Sequence, residues 1–294
     1  LKKLIFAPFF LIILGLFFYQ LTPLLESYDF IFSLSSDTLI QLITISAFVS
    51  LSSLLFTVFA TIASSWKLVL PVVLIGAIIS LVFLPMPLGL IFVAAIFVSL
   101  LLTYVSLDNA LKSYLTFQPS TLLGPSIKHL SGFLILSFCL VFFLTTSRII
   151  AQNGFQIPDT LIDTALKMTP LPTEQAQLPT INPDQLELLK QNPNLLKQSG
   201  LDPKILDTLN QAPADLIKDT IKQTVKDQIQ GFIKPYQSFI PAILAVLLFL
   251  TLQSLTSILN LLVPPLLWLI FLILEKTGFI KFETEQRTVK KMVV

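Results

Sequence analysis

The stretch LIQLITISAFVSLSSLLFTVFATIA, residues 39–63, contains no charged side chain. It is long enough to cross a bilayer, since a transmembrane helix needs about 20 apolar residues. The whole chain has the same character, because 54% of its 294 residues are hydrophobic and only 12% are charged, whereas soluble domains carry about 25% charge. The mean hydropathy is +0.83. The sequence therefore predicts an all-α fold, a multi-pass transmembrane helical bundle in a lipid bilayer.

The same stretch, together with the residue that follows it, carries small polar residues at helical spacing. Ser46, Ser50, Ser53, Thr57 and Ser64 fall near one face of a helix. Small residues let helices approach closely in lipid, and hydroxyl groups can donate hydrogen bonds across the contact. We interpret this face as a packing seam between helices rather than as a path for a substrate.

Seven apolar stretches occur along the chain, and a long polar insert separates the fifth from the sixth. We expect six full crossings and a short seventh segment, because only LLWLIFLIL follows Pro264-Pro265 before Glu275. An apolar run of roughly 10–14 residues is more often re-entrant or interfacial than membrane-spanning. The stretches lie at about 4–21, 39–63, 68–86, 88–107, 130–150, 237–257 and 261–274.

The polar insert divides the chain into four predicted regions. A five-helix transmembrane region precedes the insert, and a C-terminal transmembrane hairpin and a charged cytoplasmic tail follow it. The insert begins with a proline-rich linker and continues with short helices that start at prolines and one longer amphipathic helix. The predicted bounds are 1–150 for the five-helix region, 151–235 for the insert, 236–280 for the hairpin and 281–294 for the tail.

The distribution of lysine predicts the orientation, because short loops that carry Lys or Arg stay on the cytoplasmic side. Lys2 and Lys3 place the N-terminus inside, and Lys67 and Lys112 fit the same side. With six full crossings, the insert is extracytoplasmic and the basic tail is cytoplasmic, in a bacterial plasma membrane. A second arrangement has seven true crossings, the last of which includes Glu275. A third places the N-terminus outside and the insert in the cytoplasm.

The usual catalytic and metal-binding groups are scarce. The chain has one Cys, Cys139, and one His, His129, which excludes an intrachain disulfide and the common zinc sites. No ionisable residue lies in the middle of an apolar stretch, which argues against a proton- or sodium-coupled transporter. His129 lies at the edge of a stretch, where we expect an interfacial residue. We therefore expect a non-enzymatic protein with no cofactor, no metal site and, at a net charge of +2, no nucleic-acid partner.

A ten-residue repeat in the insert places prolines at positions 183, 193, 203 and 213. Asn or Asp precedes the first three prolines; both are strong helix N-caps, and proline suits the first helical position. Each repeat therefore predicts a short helix with a leucine on its apolar edge, and the longer helix that follows has an apolar stripe. The predicted partner-binding residues are Leu186, Leu196, Leu206, Leu216, Ile217, Ile221 and Val225.

Such short helices are unstable alone and must dock on one another or on another surface. Two interpretations fit: a closed helical cap whose leucines cover one another, or an open apolar groove for an amphipathic partner helix. Residues 182–216 resemble the Asn-Pro and Asp-Pro short-helix domains of Hop-type co-chaperones, and this resemblance implies binding of hydrophobic protein segments. The first functional hypothesis is a scaffold or adaptor that binds a protein or peptide partner through the insert.

A polar face in the sixth apolar stretch supports a second hypothesis. Gln253, Thr256 and Asn260 recur at helical spacing, and such groups cost free energy in lipid unless they find a partner. We expect them to face the bundle or a wet cavity, as structural hydrogen bonds or as an intramembrane ligand site. The second hypothesis is a permease or lipid-handling transporter that uses this face and the interruption at Pro264-Pro265.

Overall fold

The structure is a computed structural model that describes residues 2–32, 35–114, 116–158, 162, 223, 226 and 229–281. Over these ranges the regular secondary structure is helical and no β-strand occurs. The predicted class, an all-α protein with several apolar helices, is confirmed. Five helical segments are long and apolar enough to cross a membrane, namely Phe6–Leu25, Ser36–Ala63, Leu88–Ser113, Pro119–Asn153 and Ile240–Lys276. Trp66–Val82 is a shorter apolar helix, and the number of crossings stays a prediction.

The chain divides into two compact units. The first comprises Leu1–Arg148 and Pro241–Val294, and the second comprises Ile149–Ile240. The α-helices with assigned bounds are α1 (Phe6–Leu21), α2 (Ser36–Ala63), α3 (Trp66–Ile79), α4 (Leu88–Ser113), α5 (Pro119–Asn153), α6 (Ile240–Leu259) and α7 (Val263–Lys276).

Local sequence accounts for where several helices begin and end. α2 begins after Ser35, whose side-chain oxygen accepts a hydrogen bond from the backbone N–H of Thr38 at 3.1 Å, as an N-cap does. α2 ends at Ala63, and the next residue, Ser64, is left-handed with φ 46°. α5 ends at Gly154, which has φ 71° and donates its N–H to the carbonyl of Ile150 at 2.9 Å. Glycine adopts this conformation without steric cost and is common just after a helix.

Aromatic rings make contacts between the first four helices. Phe10, near the start of α1, lies 5.2 Å from Phe56, near the end of α2, measured between ring centroids. Trp66, at the start of α3, lies 4.5 Å from Tyr104, near the end of α4, in an edge-to-face arrangement that aromatic rings favour. Each pair joins the beginning of one helix to the end of the next, so α1 and α2 run in opposite directions, and so do α3 and α4.

The predicted packing seam on α2 is buried. Ser46, Ser50, Ser53 and Thr57 are each at most 8% exposed. The hydroxyl groups of Ser53 and Thr57 donate to carbonyls one turn earlier in α2, at 2.8 and 2.7 Å, and not across a helix contact. Ser64 differs from the prediction, because the helix ends before it and its side chain is exposed.

The α1–α3 contact depends on a glycine. A Cβ atom on Gly76 of α3 would lie 3.2 Å from a methyl carbon of Leu14 and 3.5 Å from side-chain atoms of Leu11 and Phe10. Small residues permit this close approach. In lipid, where the hydrophobic effect does not drive helices together, the resulting van der Waals packing is a main source of helix association. Gly15 of α1 is less crowded, since its nearest neighbour to a Cβ would be Ile79 at 3.9 Å.

α5 runs antiparallel to the segment formed by α6 and α7. Gly132 of α5 lies next to the side chain of Gln253, whose oxygen would be 3.9 Å from a Cβ on the glycine. Near the start of α5, the ring of Phe117 lies 5.2 Å from that of Phe271 in α7. The earlier residue, Phe117, contacts the later position in the C-terminal segment, and the later residue, Gly132, contacts the earlier one. The two segments therefore run in opposite directions.

The C-terminal segment differs from the predicted hairpin. A 3₁₀ turn, Asn260–Leu262, joins α6 to α7, and the backbone torsions of Leu259 and Val263 are helical. Ile240–Lys276 is therefore one helical segment, and the chain does not reverse at Pro264-Pro265. The physical reason is that the prolines occupy the first turn of α7, where a missing N–H has no cost.

The second unit, Ile149–Ile240, contains the predicted insert. Within it, Phe155 and Ile157 are buried just after α5 ends. The side-chain nitrogen of Gln230 donates a hydrogen bond to the carbonyl of Phe155 at 3.2 Å. The first and last described parts of this unit therefore contact each other.

We expect Gly76→Leu to lower the free energy of unfolding by about 1–3 kcal/mol, the usual cost of overpacking a close contact. The added side chain must displace Leu14 and Phe10 or separate α1 from α3. Unfolding of the full chain in mixed detergent micelles, followed by circular dichroism, measures the change. Gly15→Leu is the matched control and should destabilise the protein less, because the nearest atom to a Cβ on Gly15 would be 3.9 Å away. Equal effects of the two substitutions would contradict the assigned α1–α3 contact.

Candidate ligand-binding cleft

The predicted intramembrane polar face lies inside the first unit. Thr256 is 1% exposed and Asn260 is 7% exposed. A side-chain oxygen of each, and of Gln253, is buried without a hydrogen-bond partner among the described residues. Buried polar groups are nearly always paired, and leaving one unpaired costs about 1–3 kcal/mol. Three such oxygens on one helical face mark a place where a further hydrogen-bonding group would be stabilised.

Asn260 also lines a cleft of about 480 Å³ between the first turns of α5 and the α6–α7 junction. The α5 wall is mostly polar, and it includes Ser120, Thr121, Lys128 and His129. Apart from Asn260, the facing wall is apolar and consists of Leu261, Val263 and Pro264.

The first turn of α5 supplies backbone groups to the cleft. The helix begins at Pro119, and its early N–H groups, including those of Ser120 and Thr121, have no carbonyl one turn earlier to bond. The side chain of Thr121 donates to the amide oxygen of Gln118 at 3.2 Å, which steadies this turn. Pro125 lies within the helix and removes the helical hydrogen bond to the carbonyl of Thr121. The cleft thus has both backbone donors and a backbone acceptor nearby.

The cleft carries positive charge. Lys128 and His129 are exposed, and no carboxylate is among the described side chains that line the cleft. Among the described residues, the side chains that form an ion pair are Lys112 and Asp108, near the end of α4. Lys128 therefore has no carboxylate partner within the described part of the chain. Its ammonium group is free to interact with an anion.

The cleft lies at the edge of the apolar part of α5. The apolar stretch begins at Leu130, directly after Lys128 and His129. α5 has 35 residues and Ile240–Lys276 has 37, or about 52 and 55 Å at about 1.5 Å per residue. Even at a tilt of about 40°, each would extend about 40 Å along the membrane normal, beyond a hydrocarbon core of about 30 Å. The polar start of α5 therefore suits the headgroup level.

Of the residues that line this cleft, Asn260 was predicted from the sequence, as part of a polar face with Gln253 and Thr256. His129 was predicted to be an interfacial residue. Ser120, Thr121 and Lys128 were not predicted as ligand-binding residues. The sequence feature that could have indicated this wall is the helix start Pro119-Ser120-Thr121, followed by Lys128-His129 just before the apolar stretch.

The predicted partner-binding residues of the insert lie outside the described residues, so the adaptor hypothesis stays a prediction. Among the residues that the structure does describe, no group of His, Cys, Asp and Glu side chains is arranged to hold a metal ion. The residues outside the described ranges are Leu186, Leu196, Leu206, Leu216, Ile217, Ile221 and Val225.

Thr256→Val should raise the free energy of unfolding of the ligand-free protein by about 1 kcal/mol, because it removes a buried hydroxyl that has no partner. Equilibrium unfolding in mixed micelles measures this. Thr251→Val on the same helix is the control: the Thr251 hydroxyl is exposed and donates to the carbonyl of Leu247 at 2.8 Å, so its loss should matter less. A destabilised Thr256→Val variant would mean that the hydroxyl is paired within the protein.

Comparison with known proteins adds no functional assignment. No protein-family model matches the chain, and no curated protein or solved structure matches it. The case for a function therefore depends on the geometry and chemistry of the cleft.

Proposed function

We propose that this protein is a non-enzymatic integral membrane protein that binds an amphiphilic molecule, a lipid or a lipid-like compound, at the cleft. The corresponding role is that of a lipid-handling transporter or permease. The observation that carries this proposal is the set of three buried, unpaired oxygens on Gln253, Thr256 and Asn260, together with the cleft that Asn260 lines.

The two unlike walls of the cleft support an amphiphilic ligand. The polar α5 wall suits a headgroup, and the opposite wall has apolar atoms that suit the start of an acyl chain. Leu261 lines the cleft and is 74% exposed, and the adjacent Leu262 is 58% exposed. A binding pocket commonly combines apolar lining with a few polar groups that orient the ligand.

Binding or transfer fits the available groups better than catalysis. Acid–base catalysis needs titratable groups positioned near the reacting atoms. The described lining of the cleft offers Lys128 and His129 but no carboxylate. These residues are suited to attracting and holding a polar group.

An amphiphilic ligand should raise the thermal unfolding midpoint of the full-length protein, because a ligand that binds only the folded state stabilises it by about 2.7 kcal/mol at 100 times Kd. The probes are phosphatidylglycerol, phosphatidylethanolamine and monogalactosyl diacylglycerol, each added to delipidated protein in maltoside micelles. At least one should stabilise the parent protein, and the Gln253→Leu/Asn260→Leu variant should lose that response.

The control for this experiment is Thr251→Leu, which changes an exposed position of the same helix. It should keep the full response to the probe. The ligand-free Gln253→Leu/Asn260→Leu variant should be no less stable than the parent, so that loss of the response reports binding. If none of the three probes shifts the midpoint, or if the variant responds like the parent, the proposed function is wrong.

We also propose that the N-terminus lies on the cytoplasmic side of a bacterial plasma membrane and that the insert is extracytoplasmic. The support is that Lys67 lies in the first turn of α3, Lys112 in the last turn of α4 and Lys128 near the start of α5. In helices of alternating direction these lysines belong to the same end of the bundle, as the positive-inside rule requires.

The adaptor role is a second proposal, and the ten-residue proline repeat of the insert favours it. Its short helices with leucine edges fit a surface for hydrophobic segments of a protein or peptide. This role and lipid binding are compatible, since they use different residues of the chain. The side of the membrane on which the insert lies decides which partners it can meet.

A single cysteine tests the orientation. In a Cys139→Ser background, Ser199→Cys should react with a membrane-impermeant thiol reagent added to intact bacterial cells, because the insert is exposed outside. Thr116→Cys, in the loop between α4 and α5, is the control and should react only after lysis. The reverse pattern would place the insert in the cytoplasm and would overturn the proposed topology.

A further inference from the structure

We infer that the cleft selects a ligand that bears a phosphate group beside a hydrogen-bond donor, as the headgroup of an anionic phospholipid does. This inference rests on the proposed function and specifies its ligand. Free phosphate offers part of the same chemistry, and the experiment below separates the two sources.

The positive charge of the cleft accounts for the phosphate. Lys128 supplies an ammonium group that has no carboxylate partner within the described residues, and His129 supplies an imidazole N–H donor next to it. No acidic side chain is among the described residues that line the cleft, so an incoming anion meets no opposing charge from them. Lysine binds phosphate as a compact point charge, and hydrogen bonds to an ionised acceptor are stronger than neutral ones.

The start of α5 adds to this preference. The unpaired N–H groups of the first turn and the helix dipole both favour an anion at a helix N-terminus. The helix is 35 residues long, and Ser120 and Thr121 of its first turn line the cleft. Ser120 and Thr121 belong to the same wall as Lys128.

Asn260 provides independent evidence that the ligand also carries a donor. Its side chain is 7% exposed, and its oxygen has no hydrogen-bond partner among the described residues. Asn260 belongs to the wall that faces Lys128 across the cleft. An amide oxygen accepts hydrogen bonds, so it suits a hydroxyl or ammonium group and not the phosphate oxygens themselves. A headgroup with both a phosphate and a hydroxyl would satisfy the two walls at once.

The position of the cleft favours a lipid as the carrier of that headgroup. Lys128 and His129 immediately precede the apolar part of α5, which is where phosphate groups lie in a bilayer. Leu261 and Pro264 complete the opposite wall with apolar atoms. Trp268, about one turn further along α7, is 63% exposed and therefore reports on lipids next to the cleft.

The test measures quenching of Trp268 by brominated lipids. The chain has two tryptophans, and Trp66→Phe leaves Trp268 as the single indole while it preserves an aromatic ring against Tyr104. The full-length protein is reconstituted in phosphatidylcholine vesicles that contain brominated phosphatidylglycerol or, separately, brominated monogalactosyl diacylglycerol. The second lipid has hydroxyl groups but no phosphate.

We expect phosphatidylglycerol to associate about fivefold more strongly than the galactolipid, the effect of one well-placed cation near a membrane surface. Lys128→Gln should remove this preference. Lys67→Gln is the matched control, because Lys67 is also exposed, at the start of α3, and does not line the cleft; it should keep the preference. Asn260→Leu should weaken association of both lipids.

Added inorganic phosphate distinguishes the sources of the phosphate group. If added phosphate leaves the quenching unchanged, the ligand is the lipid headgroup. If added phosphate relieves the quenching in the parent protein but not in Lys128→Gln, the cleft binds soluble phosphate by the inferred contacts. Equal association of the two lipids in the parent protein, with Asn260→Leu still weakening both, would overturn this inference and leave amphiphile binding intact. Equal association with no effect of Asn260→Leu would overturn both.

Discussion

Hydrocarbon offers no hydrogen bonds, and this constraint shapes the whole protein: every polar group inside the bilayer must find its partner within the chain or a bound molecule. Many hydroxyl groups satisfy this requirement by donating a hydrogen bond within their own helix. Ser53, Ser131 and Thr145, for example, donate to carbonyls of their own helices one turn earlier. Ser99 and Ser137 also meet each other across α4 and α5 at 3.2 Å. Among the described residues, the buried oxygens without a partner form two groups. Those of Ser46, Ser50 and Ser52 lie on α2, and those of Gln253, Thr256 and Asn260 lie on the α6–α7 segment. Of these residues, Asn260 also lines the cleft.

The cleft lies between α5 and the α6–α7 segment, both of which are longer than a bilayer is thick. Where two antiparallel helices leave the hydrocarbon, their sequences change from apolar to mixed, and polar groups can line a space between them. Pro125 and Pro264 lie on opposite sides of this space. Proline removes a backbone donor and adds a bulky ring, so both helices have a locally altered surface beside the cleft.

Much of the fold could be predicted from composition and periodicity, because a helix in lipid must be a long apolar run and 39–63 is one. The burial of Thr256 and Asn260 could also be predicted, because a polar side chain without a partner costs free energy when it faces lipid. The continuity of the chain through Pro264-Pro265 could not be predicted in this way, since the same pair suits a break or the first turn of a helix. Nor does a sequence reveal that residues near 120–129 lie beside 260–264. That proximity depends on the antiparallel pairing of segments more than 100 positions apart in the chain, a tertiary property that local propensity does not contain.

The two helical segments that line the cleft are also the two connections of the insert to the bundle. α5 runs without interruption from the cleft to Asn153, and Ile240–Lys276 leads from the end of the insert back to Asn260. A hydrogen-bonded helix resists stretching along its axis, so an axial or rotational shift at one end is passed to the other. Each wall of the cleft is therefore stiff along its axis, and a change in the width of the cleft requires the two segments to move apart as whole helices.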